Sequence, residues 1–163
     1  IAHQKPVYFM REQPIQFLTI DNPTHWVIAD TGEKTSTRDA VSAVRALHDT
    51  DADTYGDIFD KIGEVTRKAR WVLSQGNLTT LGWLMNENQR LLTKLNLSTP
   101  KLDRLIHAAR SAGAEGAKLS GGGGGGNMIG LVSAEKIEVV KNALHQAGAA
   151  QVITTTLNED ETQ

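Results

Sequence analysis

Six consecutive glycines, Gly121, Gly122, Gly123, Gly124, Gly125 and Gly126, stand inside "KLSGGGGGGNMIGLV" (118–132). Glycine loses more backbone freedom on folding than any other residue, so an ordered run needs a reason. A linker would mix glycine with serine and polar residues and would separate complete domains. Here "GAKLS" precedes the run and "MIGLV" follows it, and both segments ask for the same core. A tight structural turn is one reading. The other is a loop, entered through Ser120, whose backbone N–H groups face an anion, usually a phosphate. The Walker A pattern fails because Asn127 stands where its lysine belongs. The Rossmann G-x-G-x-x-G matches any six glycines and needs a helix where this sequence reads as strand. The residues alone leave both the turn and the anion-facing loop standing.

Few other side chains can do chemistry. Ser36, Thr37 and Arg38 fall at a predicted helix start, where free N–H groups and the helix dipole favour anions. Ser36 reads as a plain cap; Thr37 stands between capping and substrate contact. Asp30 and Thr31 end a strand and suit a turn. Asn88 interrupts an apolar stripe between Leu84 and Leu92, and a buried amide needs a hydrogen-bond partner. It either ties its helix to the glycine loop or satisfies a core group. Lys118 either reaches a phosphate as a point charge or is an ordinary solvated lysine. The five histidines never take ligand spacing and there is no cysteine, so no metal site is expected. Trp26, Trp71 and Trp83 read as core or interface aromatics, and the acidic run "DTDAD" (49–53) as a solvated loop.

The elements that must position these groups follow from periodicity. The chain has 163 residues, 39% apolar and 22% charged, which suits one domain. A net charge of −2 does not suggest a nucleic-acid surface, and no apolar run reaches membrane-spanning length. "PVYFMR", "IQFLTI" and "HWVIAD" are strand-like and separated by turn residues, predicting an antiparallel meander over 6–30. Four helices follow. The first is capped by Ser36 with Asp39 three residues on; the second ends near Gly76. The third carries Leu81 to Leu95; the fourth starts at Thr99-Pro100 and stops at Gly113. After the glycines come a strand (127–133), a helix (134–147) with Gly148 as its stop, and a last strand (149–157). The expectation is an α+β domain over 1–157, an antiparallel sheet with helices packed on one face, followed by a polar tail at 158–163. The opening "IAHQKPVYF" enters a strand almost at once and reads as a cut through a longer protein, a pattern that a processed terminus also gives.

"KLSGGGGGG" resembles the third motif of the GHMP kinases, which in mevalonate kinases reads K-L-[ST]-G-A-G-G-G-G. Lys118, Leu119, Ser120, Gly121 and Gly123 to Gly126 match; Gly122 replaces the usual alanine. "VIADTGEKTSTRDAVSAVR" (27–45) is similar to the family's D-T-G, spacer, T-[KR] segment. "LMNENQRLLTKLNLSTPKLDRLI" (84–106) resembles N-Q-x-L-L followed by G-V-S-x-P-x-L-D, with Asn96 in place of the glycine. The resemblance covers most of 1–155 and implies the C-terminal half of a mevalonate kinase. Such an enzyme transfers the γ-phosphoryl of ATP to the mevalonate hydroxyl in isoprenoid precursor synthesis. By the same resemblance the catalytic aspartate, the ATP loop and the Mg ligands belong to an N-terminal half. This segment then holds no catalytic residue and no metal ligand, and is inactive alone. The glycine loop faces phosphate, and Thr37, Lys118 and Asn88 lie on the substrate side. The implied partners are mevalonate or a similar small acceptor and the N-terminal half, in the cytoplasm, with a homodimer left open. Two alternatives stand: a sister kinase acting on another acceptor such as phosphomevalonate, and a non-catalytic binding domain of the same fold.

Overall fold

A computed structural model describes residues 6–158 apart from 21 and 35. All of the expected polar tail except Asn158 lies outside the described residues, as do the first five residues.

Two short strands, β1 (Val7–Tyr8) and β2 (Gln16–Phe17), form a two-stranded antiparallel sheet of their own. The expected meander over 6–30 is therefore not formed. The third strand, β3 (Thr24–Asp30), leaves the hairpin and becomes an inner strand of a separate sheet, pairing on both sides with segments near the other end of the chain, Asn127–Val132 and Gln151–Leu157. Local pattern shows a strand but not its partner, which is set by non-local burial.

The helices follow their caps. The side chain of Ser36 accepts from the Asp39 amide at 3.4 Å, starting α1 (Thr37–Thr50). The Asp51 carboxylate accepts from the Thr54 amide at 3.0 Å and starts α2 (Ala52–Ser74), and that bond holds its carboxyl below the usual range. The acidic run is thus a helix junction rather than a loop, since aspartate is as good a cap as serine. Asn77 caps α3 (Leu78–Lys94) and Thr99 caps α4 (Pro100–Ser111). After α4 the chain turns at Gly113 into β4 (Gly116–Ser120), crosses the glycines, and returns as β5 (Asn127–Val132). A single 3-10 turn leads into α5 (Ile137–Gln146), and β6 (Gln151–Leu157) closes the chain. Strand β4 was not expected. It is a five-residue stretch with a glycine at its start, too short to show alternation.

The four-stranded sheet is antiparallel, in the order β4-β5-β3-β6. One face carries Val27, Ala29, Leu119, Met128 and Val132, packed against Leu102, Leu105, Ile106 and Ala109 of α4 and Val140 and Leu144 of α5. This is the helical layer expected on one face. Each such large apolar side chain, fully buried, contributes about 1.5–3 kcal/mol of transfer free energy. On the other face Leu131, with Trp26 and Ile129, packs against Val72 of α2 and Leu81, Leu84 and Met85 of α3. Trp71 and Trp83 are not core: they are 67% and 63% exposed.

Helix α3 runs along the free edge of β4. A Cβ on Gly116 would fall on the Gly82 carbonyl, and one on Gly82 on the Glu115 carbonyl. Only two glycines permit that approach. At that distance side chains of α3 and α4 reach the strand backbone. Asn86 accepts from the Ala117 amide at 3.1 Å, Gln89 from the Leu119 amide at 2.8 Å, and Arg110 donates to the Ala117 carbonyl. These side chains satisfy an edge that would otherwise present unpaired groups.

Candidate functional site

The glycine run is the connection of the β4–β5 hairpin. Ser120, exposed at the end of β4, pairs with Asn127 at the start of β5. Between them the backbone is one that side chains resist: φ is 99° at Gly121, 81° at Gly123, 74° at Gly124, 140° at Gly125 and 73° at Gly126. The glycines are therefore needed for conformation, as the turn reading requires.

The loop is also held against three neighbouring segments. The Gly124 amide donates to the Leu97 carbonyl at 2.7 Å, in the turn between α3 and α4. The Gly126 amide donates to the Glu33 carbonyl at 3.1 Å, and the Thr31 amide to the Gly126 carbonyl at 2.9 Å. A Cβ on Gly123 would lie 2.6 Å from the Leu97 oxygen, and one on Gly122 would lie 3.3 Å from Cγ2 and 3.5 Å from Oγ1 of Thr37. The loop thus touches the end of β3, the first turn of α1 and the entry to α4. Thr37 and the glycine loop, far apart in sequence, are brought together.

The amides of Gly121, Gly122, Gly123 and Gly125 have no protein acceptor among the described residues, although Gly123 and Gly125 are buried. Buried backbone N–H groups are almost always paired. A cluster of unpaired donors beside a helix N-terminus is the arrangement that accepts a phosphate. The residues present therefore fit an anionic phosphate group, which a tight turn alone does not call for.

Lys118 lies on the sheet face opposite Ala117 and Leu119. Its ammonium donates to the Leu119 carbonyl at 2.6 Å, and burial pushes it below the usual lysine value. It is not the solvated lysine of one reading, and its ammonium sits at the stem of the loop. Asn88 is half-buried and its side chain makes no hydrogen bond among the described residues. The tie between α3 and the loop stem is made instead by Gln89, one residue on, which is 4% exposed. The helical stripe points to position 88; the amide at 89 lies on the flank that meets the strand edge, and a strand edge beside α3 was not foreseen. Glu33 and Leu97 were missed because they act through backbone carbonyls, which carry no residue signature. The described residues hold no group of three or more His, Asp or Glu that could bind a metal ion. No helix among them is long and apolar enough to cross a membrane.

Comparison with known proteins places this geometry. Residues 69–150 match the family model described as GHMP kinases C terminal. The chain is 38% identical over 138 residues to a mevalonate kinase of Pyrococcus horikoshii, covering 82% of this chain and 41% of that protein. A mevalonate kinase of Saccharolobus solfataricus is 34% identical, over 77% of this chain and 38% of that protein. The chain thus spans about two fifths of the length of these relatives. Among solved structures, that of L. major mevalonate kinase in complex with R-mevalonate superposes with a TM-score of 0.90 at 25% identity, over 96% of this chain and 50% of that one. A Streptococcus pneumoniae phosphomevalonate kinase has a TM-score of 0.74 at 20% identity, over 87% of this chain and 43% of that one; it shares the fold.

Proposed function

Because the chain belongs to the GHMP kinases, whose C-terminal domain it carries, we propose that it is the C-terminal half of an ATP-dependent mevalonate kinase. The observation that carries the reading is the hairpin loop of unpaired glycine amides set against Thr37 at the start of α1. Mevalonate and ATP are the substrates, and isoprenoid precursor synthesis in the cytoplasm is the setting.

Phosphoryl transfer asks a protein for positioning and charge neutralisation more than for covalent chemistry. The amides of Gly121, Gly122, Gly123 and Gly125 donate to phosphate oxygens, and their fixed φ values mean that no reorganisation is needed when charge builds there. The Thr37 hydroxyl, beside Gly122, binds the acceptor where the N-terminus of α1 adds its positive end. Lys118, partly desolvated, adds positive charge to the loop stem. Asn88 lies on the substrate side, its amide side chain without a partner among the described residues. ATP supplies the transferred group. Mg and its ligands, and the base, come from the N-terminal half, which is the chain's partner.

The test is an acceptor panel on the full-length protein, run beside Thr37→Ala. Mevalonate is expected to be the preferred acceptor. Losing one hydrogen bond to a charged acceptor is worth about 1.5–3 kcal/mol, so kcat/KM for mevalonate falls roughly ten- to a hundredfold in Thr37→Ala. The KM for ATP holds. Preference for phosphomevalonate would move the assignment to the sister activity, and no transfer to any acceptor would leave a binding domain of this fold.

A further inference from the structure

We infer that Gln89 is a positioning residue for the glycine loop: one amide side chain ties the strand that enters the loop to the turn that holds its centre. Its Oε1 accepts from the Leu119 amide at 2.8 Å, two residues before Gly121. Its Nε2 donates to Ser98 Oγ at 3.0 Å, and that hydroxyl donates to Asp103 Oδ1 at 2.5 Å. Ser98 directly follows Leu97, whose carbonyl accepts from the Gly124 amide at 2.7 Å. Two anchors of the loop, its stem at Leu119 and its clasp at Leu97, are therefore set by the same buried side chain, 4% exposed.

Asn86 provides the contrast. It sits one helical turn earlier on α3 and bonds the same strand, accepting from Ala117 N at 3.1 Å and donating to Glu115 O at 3.4 Å. Both of its bonds go to β4 and its entry, so it caps the edge. Gln89 has one longer bond within α3, to Thr93 Oγ1 at 3.5 Å, and its two shorter bonds go to two separate segments that flank the loop. If satisfying the edge were the whole purpose, the two amides would be equivalent. The geometry makes them different, because only Gln89 fixes the distance between stem and clasp. The inference rests on the loop being a phosphate cradle, whose amides must keep their aim to be worth their binding energy.

The experiment uses the full-length protein with Gln89→Leu, Ser98→Ala and Asn86→Leu. The first readout is amide hydrogen exchange of the segment 119–128, which needs no catalysis. The second is the steady-state split between KM for ATP, KM for mevalonate and kcat. Gln89→Leu and Ser98→Ala are expected to speed exchange in the loop by about tenfold or more and to lower kcat/KM for ATP by about tenfold, with KM for mevalonate unchanged. Asn86→Leu is expected to lower the melting temperature while leaving loop exchange and KM for ATP within about twofold of wild type. Equal loop acceleration by Asn86→Leu and Gln89→Leu would reduce Gln89 to edge capping and overturn the inference. Should Gln89→Leu not fold, Ser98→Ala decides alone, since it leaves the Leu119 bond in place; unchanged loop exchange in that variant also overturns it. A wild-type protein without transferase activity, in which Gln89→Leu or Ser98→Ala still loosens the loop selectively, would sink the kinase reading and leave the positioning role standing.

Discussion

Gly122 and Gly123 are adjacent and chemically identical, yet the structure gives them opposite tolerances. Gly123 has φ of 81°, and a Cβ there would lie 2.6 Å from the Leu97 oxygen and 2.7 Å from its Cβ. Gly122 is not among the residues with positive φ, and its Cβ would meet the Thr37 methyl at 3.3 Å, a contact relieved by a shift of a few tenths of an ångström. The alanine usual in related kinases thus falls at the one position of the first three that admits a side chain. Gly122→Ala is expected to change stability by less than about 1 kcal/mol, because the lost unfolded-state freedom offsets the tighter contact, and to keep transferase activity. Gly123→Ala is expected to lose about 1–3 kcal/mol from the left-handed backbone and the clash. It should also cost kcat/KM for ATP far more than Gly122→Ala does. Thermal melts and kinetics on the pair check this, and equal behaviour would mean that the loop does not hold the conformation described. The run was conspicuous in the sequence, but which glycine is indispensable was not, since that depends on Leu97 and Thr37.

Helix α3 ends in a way that aims the site. Asn96 has φ of 56°, its amide donates to the Thr93 carbonyl at 3.0 Å, and the Leu97 amide donates to the Leu92 carbonyl at 3.2 Å. This is a Schellman cap with asparagine at the left-handed position, and the Leu97 that it turns outward is the acceptor for Gly124. Asparagine tolerates that conformation and a β-branched residue does not. Asn96→Gly is expected to be within about 1 kcal/mol of wild type; Asn96→Val should cost about 1–2 kcal/mol and weaken ATP binding as the Leu97 carbonyl swings away. Denaturant midpoints together with KM for ATP test both; a Val variant that is destabilised with normal ATP kinetics would separate the cap from the loop. Helix starts at Ser36 and Thr99 and stops at Gly76, Gly113 and Gly148 were legible, because caps act within a few residues of themselves. The antiparallel β1–β2 pair was legible as well, but the departure of β3 to a separate sheet and the strand β4 were not. The partners of β3 lie about a hundred residues on, and Gly116 reads as a breaker until Gly82 is seen against it. The same distance hid Gln89: its partners Leu119 and Ser98 lie 30 and 9 residues away.

At the scale of the molecule the glycine loop reads as one wall of a site. Gly121 and Gly122 are exposed, and the described residues hold no carboxylate cluster able to bind a metal ion. Elsewhere, Met10, Phe17 and Trp71 line an open cleft of about 640 Å³ with Tyr8, Arg67 and Arg70, where the β1–β2 hairpin meets α2. Phe17 is 57% exposed, Trp71 67% and the nearby Phe9 69%. Single exposed aromatics are ordinary, but several together mark a surface that something covers. This chain spans about two fifths of the mevalonate kinases it matches, and under the function proposed above the N-terminal half is what covers this surface. Two results are then expected. The 163-residue chain alone transfers no phosphoryl group from ATP to mevalonate, while the protein with that half restored does. In a variant whose only tryptophan is Trp71, made by Trp26→Phe and Trp83→Phe together with replacement of any tryptophan in the added half, acrylamide quenches Trp71 strongly in the chain alone and several-fold less in the longer protein. Activity of the isolated chain near the rate of the longer protein would show that the wall is a whole site. Restored activity with Trp71 still fully quenched would show that the second half docks elsewhere, on the glycine-loop side, and that the aromatic cleft at α2 belongs to a different contact.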